Sequence, residues 1–174
     1  MTETAPVVLP VTLTVNDTAV SRMVAPRTTL ADFLRTDLQL TGSHTGCEMG
    51  ACGACLVMMN GEPVHSCLVF AVQAEGAKVE TVEGLAESGV IADLQRAFHE
   101  RNALQCGFCT PGMLVTAHTL VERNDVPDRE EIRDALSGNY CRCTGYEAIV
   151  DAIENVMRKR AGLPAIERMA GGHS

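Results

Sequence analysis

An α+β fold followed by a helical domain is what this sequence predicts, from three observations: an alternating apolar pattern at the start, a switch to a 3.6-residue period near residue 84, and eight cysteines falling into two sets of four. Val11, Leu13 and Val15 alternate with Thr12, Thr14 and Asn16, the signature of a half-buried strand, and Asn16-Asp17 turns the chain into Thr18 to Val24. Thr28 or Thr29 then caps an amphipathic helix whose Leu30, Phe33, Leu34 and Leu38 share one face. Residues 41 to 54 are rich in Gly and Cys and read as loop, while Cys55 to Met59, ending at Asn60-Gly61, and Lys78 to Val82 read as strands. Residues 1–83 are thus expected to form one small α+β domain.

Residues 84–160 are expected to form the second. Ile91, Leu94 and Phe98 mark one helix, and Met113, Leu114, Ala117, Leu120 and Val121 another. Asp128 opens a third, through about Leu136, with Glu131 at the capping-box position, and Ile149, Ala152, Ile153 and Val156 mark a fourth. Four short helices predict a bundle. Residues 161–174 have no sustained period and read as a C-terminal tail, loose or strapped over a partner.

Composition narrows the function. Aromatic residues make up only 3% of the chain, Trp is absent and the formal charge is −8, which excludes the basic stripe and stacking platforms of a nucleic-acid binder. No apolar run approaches the roughly 20 residues that cross a bilayer, and Met1 to Pro10 lacks the charged and apolar regions of a secretion signal. A cytoplasmic protein without membrane insertion is expected, and there thiols stay reduced unless a metal takes them.

Cys47-x4-Cys52-x2-Cys55, with Cys67 after eleven intervening residues, is the plant-type spacing for a 2Fe-2S cluster. Gly46, Gly50, Ala51, Gly53 and Ala54 leave room for backbone N–H groups to turn toward sulfur. Disulfides conflict with a reducing compartment, and zinc knots pair Cys-x2-Cys with a second such pair or with His. His44 and His65 read as polar loop or strand residues beside a set already complete. In the second set, Cys106-x2-Cys109 and Cys141-x-Cys143 are separated by thirty-one residues. Closing that gap as a flexible loop costs roughly 3 kcal/mol. Helices over 112 to 123 and 128 to 137, about 18 Å and 15 Å long, carry the chain out and back and bring both pairs to one end. Pro111 suits a helix start, whose dipole favours an anionic cluster, and Gly107 and Gly145 permit close backbone approach. By spacing alone a structural zinc competes for this second set.

Three stretches carry a family resemblance: Thr41-Gly42-Ser43-His44-Thr45-Gly46-Cys47-Glu48-Met49-Gly50-Ala51-Cys52-Gly53-Ala54-Cys55, Gln105-Cys106-Gly107-Phe108-Cys109-Thr110-Pro111-Gly112-Met113 and Gly138-Asn139-Tyr140-Cys141-Arg142-Cys143-Thr144-Gly145-Tyr146. Over about residues 10 to 158 the chain resembles the iron–sulfur small subunit of the molybdenum hydroxylases, the xanthine dehydrogenase family. The resemblance implies an N-terminal β-grasp ferredoxin-like domain, a C-terminal four-helix bundle and a 2Fe-2S cluster in each. It also implies a large molybdopterin-binding subunit, a medium FAD-binding subunit and a dimer of heterotrimers. Substrate would be oxidised at molybdenum, with electrons passing through the bundle cluster and the β-grasp cluster to FAD. Gln105 and Cys143 would approach the pterin, although by its own chemistry Gln105 reads as a helix-end residue making a local hydrogen bond. His44 departs from the Lys that many members carry there. A free-standing two-cluster ferredoxin and a zinc-stabilised interaction module are the competing readings, and the substrate of the complex is not encoded in this chain.

Overall fold

The computed structural model describes residues 7–123 and 128–166. β1 (Leu9–Val15) and β2 (Thr18–Val24) form an antiparallel hairpin in which Leu9 faces Val24 and Val15 faces Thr18. Asn16 and Asp17 have φ of 48° and 60°, the left-handed pair that matches a two-residue turn to strand twist. β3 (Leu56–Met59) and β4 (Glu62–His65) repeat the device around Asn60-Gly61, and β5 (Lys78–Glu80) runs parallel to β1 and antiparallel to β3. The mixed sheet has the order β2-β1-β5-β3-β4.

β4 was not expected from the sequence. Its Glu62 and Pro63 weaken the strand pattern, and its place at the sheet edge is where a missing N–H is tolerated. The expected helix after Thr29 also differs. Thr29 does cap it, its Oγ1 accepting the Asp32 N–H at 3.0 Å, but α1 (Leu30–Asp32) widens at once into a π turn over Phe33–Asp37. The Thr36 hydroxyl donates to the Asp32 carbonyl at 2.6 Å, competing for that helical acceptor, and the Leu38 N–H bonds the Phe33 carbonyl. The apolar face survives, because Leu30, Phe33 and Leu34 are fully buried against Val11, Leu13, Val57 and Val79.

Beyond the sheet come α2 (Val82–Glu87), α3 (Ala92–Glu100), α4 (Thr110–Val121), α5 (Arg129–Ala135) and α6 (Glu147–Arg160). The last four are the helices expected from periodicity. α2 is a further one, begun where a strand through Val82 was expected. Asn16 explains the change of course: its Oδ1 accepts the Thr81 N–H at 2.9 Å and its Nδ2 donates to Thr81 Oγ1 at 3.0 Å, turning the chain out of the sheet. With α1 this makes six α-helices among the described residues, so the fold is a mixed sheet plus helices, α+β, rather than a sheet domain with four helices alone. α5 starts as predicted, with Asp128 and Glu131 exchanging backbone and side-chain hydrogen bonds in a capping box.

Two large hydrophobic cores result among the described residues, beside a small cluster of Ala31, Cys55 and Cys67, and β3 serves both large ones. Val57 points into the sheet-side core, while Leu56 and Met58 join Leu94, Phe98, Met113, Leu120, Ile132, Ile149 and Ile153 on the helical side. The N-terminus of α4 packs so closely on the cysteine loop that a Cβ on Gly112 would overlap the Gly53 carbonyl oxygen. Residues 161–166 fold back on the helices: the Ile166 N–H donates to Asn155 Oδ1 at 3.2 Å, and Arg101 Nη2 donates to the Ile166 carbonyl at 2.7 Å. The rest of the expected tail, 167–174, lies outside the described residues. No helix is long and apolar enough to cross a membrane among the residues described.

Gly112→Ala is expected to lower unfolding stability by about 1–3 kcal/mol, the usual cost of forcing a methyl into a filled contact, measurable by urea denaturation. A second expectation concerns acid. Burial opposes ionisation of Asp93, but hydrogen bonds from Arg160 at 2.9 and 3.0 Å and the Leu94 N–H outweigh it and hold the carboxyl below its ordinary range. A depressed folded-state pKa adds stability that is complete above about pH 4, the unfolded value, and lost as pH falls through the folded one. Asp93→Asn should therefore flatten the acid limb of a melting-temperature profile between about pH 5 and pH 2 while mattering less to its slope above that range.

Candidate functional site

The β3–β4 hairpin explains the first cysteine spacing. Cys55 precedes β3 and Cys67 follows β4 by one residue beyond Ser66, so the Leu56–His65 register returns the chain beside its start. Ser66 closes the hairpin base, its N–H and hydroxyl both donating to the Cys55 carbonyl, at 3.3 and 2.6 Å. Cys47 and Cys52 come from the loop before β3. That loop curls through left-handed residues, Glu48 at φ 55°, Gly50 at 74° and Gly53 at 71°, and a Cβ on Gly46 would sit 3.2 Å from Cys52 Sγ.

Backbone N–H groups do turn toward sulfur. The Ala51 N–H donates to Cys47 Sγ at 3.3 Å, and the Met49 N–H foremost, with Ala51, lowers the Cys47 thiol to about 7. Cys67 is pushed up to about 11 by burial and then by the adjacent Cys55 thiol. A bound iron would reverse that second shift, since coordination deprotonates a thiol outright.

Two loops, each leading into a helix, build the second set. Cys106 and Cys109 precede α4, and Cys141 and Cys143 precede α6. Cys106 Sγ and Cys143 Sγ stand 3.5 Å apart across 37 positions of sequence. The helical excursion thus does return the chain to its starting point. Thr144 Oγ1 donates to Cys141 Sγ at 3.1 Å. Burial opposes ionisation of Cys141, yet Thr144 and the Cys143 N–H outweigh it and lower the thiol. Cys106 is lowered by the Phe108 N–H, whereas burial pushes Cys109 up to about 12. Cys143 is raised chiefly by its neighbour Cys106. Tyr146, left-handed at φ 68°, holds this loop: its hydroxyl accepts the Cys141 N–H at 2.8 Å and donates to the Asn139 carbonyl at 3.0 Å.

All eight thiols are free of disulfides, and the two sets are joined by backbone. The Tyr140 N–H, one residue before Cys141, donates to the carbonyl of Cys52 at 2.9 Å. Gln105 makes no local helix-end bond: it lies in the loop before α4, and its Nε2 donates to the Cys143 carbonyl at 3.0 Å across 38 positions, on an exposed edge with Cys106 and Cys143. His44 turns away to Phe108, and His65 pairs opposite Leu56 in the hairpin. Sequence reasoning passed over Ser66 and gave no role to Tyr140, Thr144 and Tyr146 within the third stretch of resemblance, all of which touch or brace the cysteines. Nothing in their spacing marks them, since each acts through a contact that exists only after folding.

The donor set fits 2Fe-2S clusters: two groups of four free thiols, glycine where sulfur comes close, and N–H or O–H donors on sulfur. Among the described residues no three His, Cys, Asp or Glu side chains converge on a single metal ion. A two-iron core does not require that, because each iron takes only two of the four thiolates.

Comparison with known proteins agrees with this geometry. A family model described as a 2Fe-2S iron-sulfur cluster binding domain matches residues 13–86, and one described as a [2Fe-2S] binding domain matches residues 81–154. The chain is 55% identical over 149 residues to the caffeine dehydrogenase subunit gamma of Pseudomonas sp. (strain CBB1), covering 84% of this chain and 89% of that one. It is 45% identical over 151 residues to the nicotinate dehydrogenase small FeS subunit of Eubacterium barkeri, covering 87% and 96%. A chain of quinoline 2-oxidoreductase from Pseudomonas putida 86 superposes with a TM-score of 0.81 at 46% identity, covering 90% of this chain and 99% of that one. With both iron–sulfur domains matched and small subunits this similar over most of their length, the chain belongs to the 2Fe-2S iron–sulfur small-subunit family of the molybdenum hydroxylases, the xanthine dehydrogenase family.

Proposed function

We propose that Cys47, Cys52, Cys55 and Cys67 hold one 2Fe-2S cluster and Cys106, Cys109, Cys141 and Cys143 the other. The observation that carries this reading is the approach of Cys106 Sγ and Cys143 Sγ to 3.5 Å, with all eight thiols free. In this reading residues 1–83 are a β-grasp ferredoxin-like domain, 84–160 a four-helix domain built on α3 to α6, and 161–174 a tail. Bound in these sites, 2Fe-2S clusters supply one-electron transfer.

The chain would relay electrons inside an oxidoreductase complex, between a large molybdopterin-binding subunit that oxidises substrate and a medium FAD-binding subunit, assembled as a dimer of heterotrimers in the cytoplasm. Gln105 and Cys143 are assigned to the pterin side. Their support is exposure: Cys106 and Cys143 are the two exposed cysteines of the eight, and Gln105 braces the Cys143 carbonyl beside them. Caffeine, nicotinate and quinoline, in the names of the relatives, are all nitrogen heterocycles, which favours that substrate class for the complex.

Iron and acid-labile sulfide analysis separates this from a zinc-stabilised interaction module. About four iron and four sulfide per chain are expected from two clusters, each on four cysteines, and stoichiometric zinc without sulfide would overturn the reading. A free-standing ferredoxin is separated by purification, since the relay subunit should co-elute with flavin and molybdenum. Segregation of the ligands gives a further expectation. Cys106→Ser should abolish one electron paramagnetic resonance signal and turnover together, whereas Cys47→Ser should abolish the other signal and leave the first reducible by substrate. Loss of both signals from either substitution would refute independent sites.

A further inference from the structure

We propose that His44 is a positioning residue that latches the loop carrying Cys47, Cys52 and Cys55 onto the loop carrying Cys106 and Cys109, and so holds the two metal centres at one fixed separation. This rests on the two-cluster reading above. His44 belongs to the first loop by its backbone: its N–H donates to the Ala54 carbonyl at 3.0 Å, and Arg35 Nη1 pins the nearby carbonyls of Thr41 and Ser43 at 2.7 Å each. Its side chain engages the second loop. The imidazole stacks on Phe108, between Cys106 and Cys109, with ring centroids 4.7 Å apart and planes 20° from parallel. Nδ1 lies 2.8 Å from the Phe108 carbonyl oxygen, which can only accept, so Nδ1 carries the proton and donates.

The same aromatic ring reaches back toward the first set. Phe108 Cε1 comes within 3.5 Å of the point where a Cβ on Gly46 would stand, and Cys52 Sγ within 3.2 Å of that point. One ring therefore fills space beside a sulfur of the first set while its own peptide belongs to the loop of the second. The first loop needs such a fixture. Gly46, Gly50 and Gly53 leave it few side chains of its own and a backbone with wide conformational freedom. The Tyr140 bond and the packing of Gly53 on Gly112 fix the Cys52 end, and His44 adds an anchor three residues before Cys47.

Pulsed dipolar spectroscopy on the fully reduced intact complex reads the separation of the two cluster spins directly. The parent should give one narrow distance. His44→Ala, which removes stack and hydrogen bond together, should keep the parent's iron and sulfide content but show a broadened or shifted distribution. His44→Phe, keeping the stack, and His44→Asn, keeping a donor near Nδ1, should fall between. A role confined to stability would lower the melting temperature and leave the distance unmoved. An unchanged distribution in His44→Ala overturns the proposal, and if that variant loses its iron, His44→Phe and His44→Asn both matching the parent overturn it equally. A parent without two paramagnetic centres overturns the two-cluster reading instead, which keeps the two failures distinct.

Discussion

At the carbonyl of Gly53 the two halves of the chain meet backbone to backbone. The first turn of α4 approaches so closely at Gly112 that no side chain fits between, and on the other side a Cβ on Gly53 itself would lie 2.5 Å from the Gly138 carbonyl oxygen. One residue away, the Cys52 carbonyl accepts the Tyr140 N–H at 2.9 Å. The first cysteine loop is thus wedged between α4 and the segment leading to Cys141. Much else follows from that wedge. It orients α4, whose first turn follows Cys109, and it sets Cys141 beside the first loop. It also places β3 against the helices, so that Leu56 and Met58 are buried in the helical core while Val57 fills the other.

The electrostatics of the sites are those of negative charge gathered against its preference. Four thiolates in one place repel each other and lose hydration when buried, and burial with a neighbouring thiol pushes Cys67 and Cys109 up. The shallower Cys47 and Cys106 are lowered by backbone N–H groups of their own loops. Each site therefore combines members poised to ionise with members that ionise only against a cation. That asymmetry suits a metal core and suits a disulfide poorly, since Cys106 and Cys143 approach without bonding. It also gives Thr144, Ala51 and Met49, which donate to sulfur, a hold on the charge felt there.

The helical half shows how a long gap in sequence becomes a short one in space. α4 leaves the site and α5 returns, stabilised by the Asp128–Glu131 capping box and by Arg129, which reaches Glu147, Asp151 and Glu154 on α6. Burial works against the charge of Arg129, but Asp151 and Glu154 outweigh it and hold the guanidinium protonated well above its ordinary range. A charge cluster on the helices thus clamps α5 to α6, and α6 begins just after Cys143.

Much of this was legible in the sequence because the signals are local. The Val11-Leu13-Val15 alternation, the faces of α3, α4, α5 and α6, the Asp128 cap and the cysteine spacings each depend on residues a few positions apart, where chain geometry alone dictates which side chains share a face. The π turn at Phe33–Asp37, the edge strand β4 and the short α2 escaped, since a Thr36 hydroxyl, a vacant sheet edge and the Asn16 amide decided them. So did Tyr140, Tyr146 and the stacking of His44 on Phe108. By itself the sequence marked eight cysteines in two sets of four and placed the strands ahead of the main helices. Only the tertiary structure decided how the two sets face each other, because that depends on backbone contacts at Gly53, Gly112 and Gly138 between segments far apart in the chain, where the informative feature is a side chain that is absent.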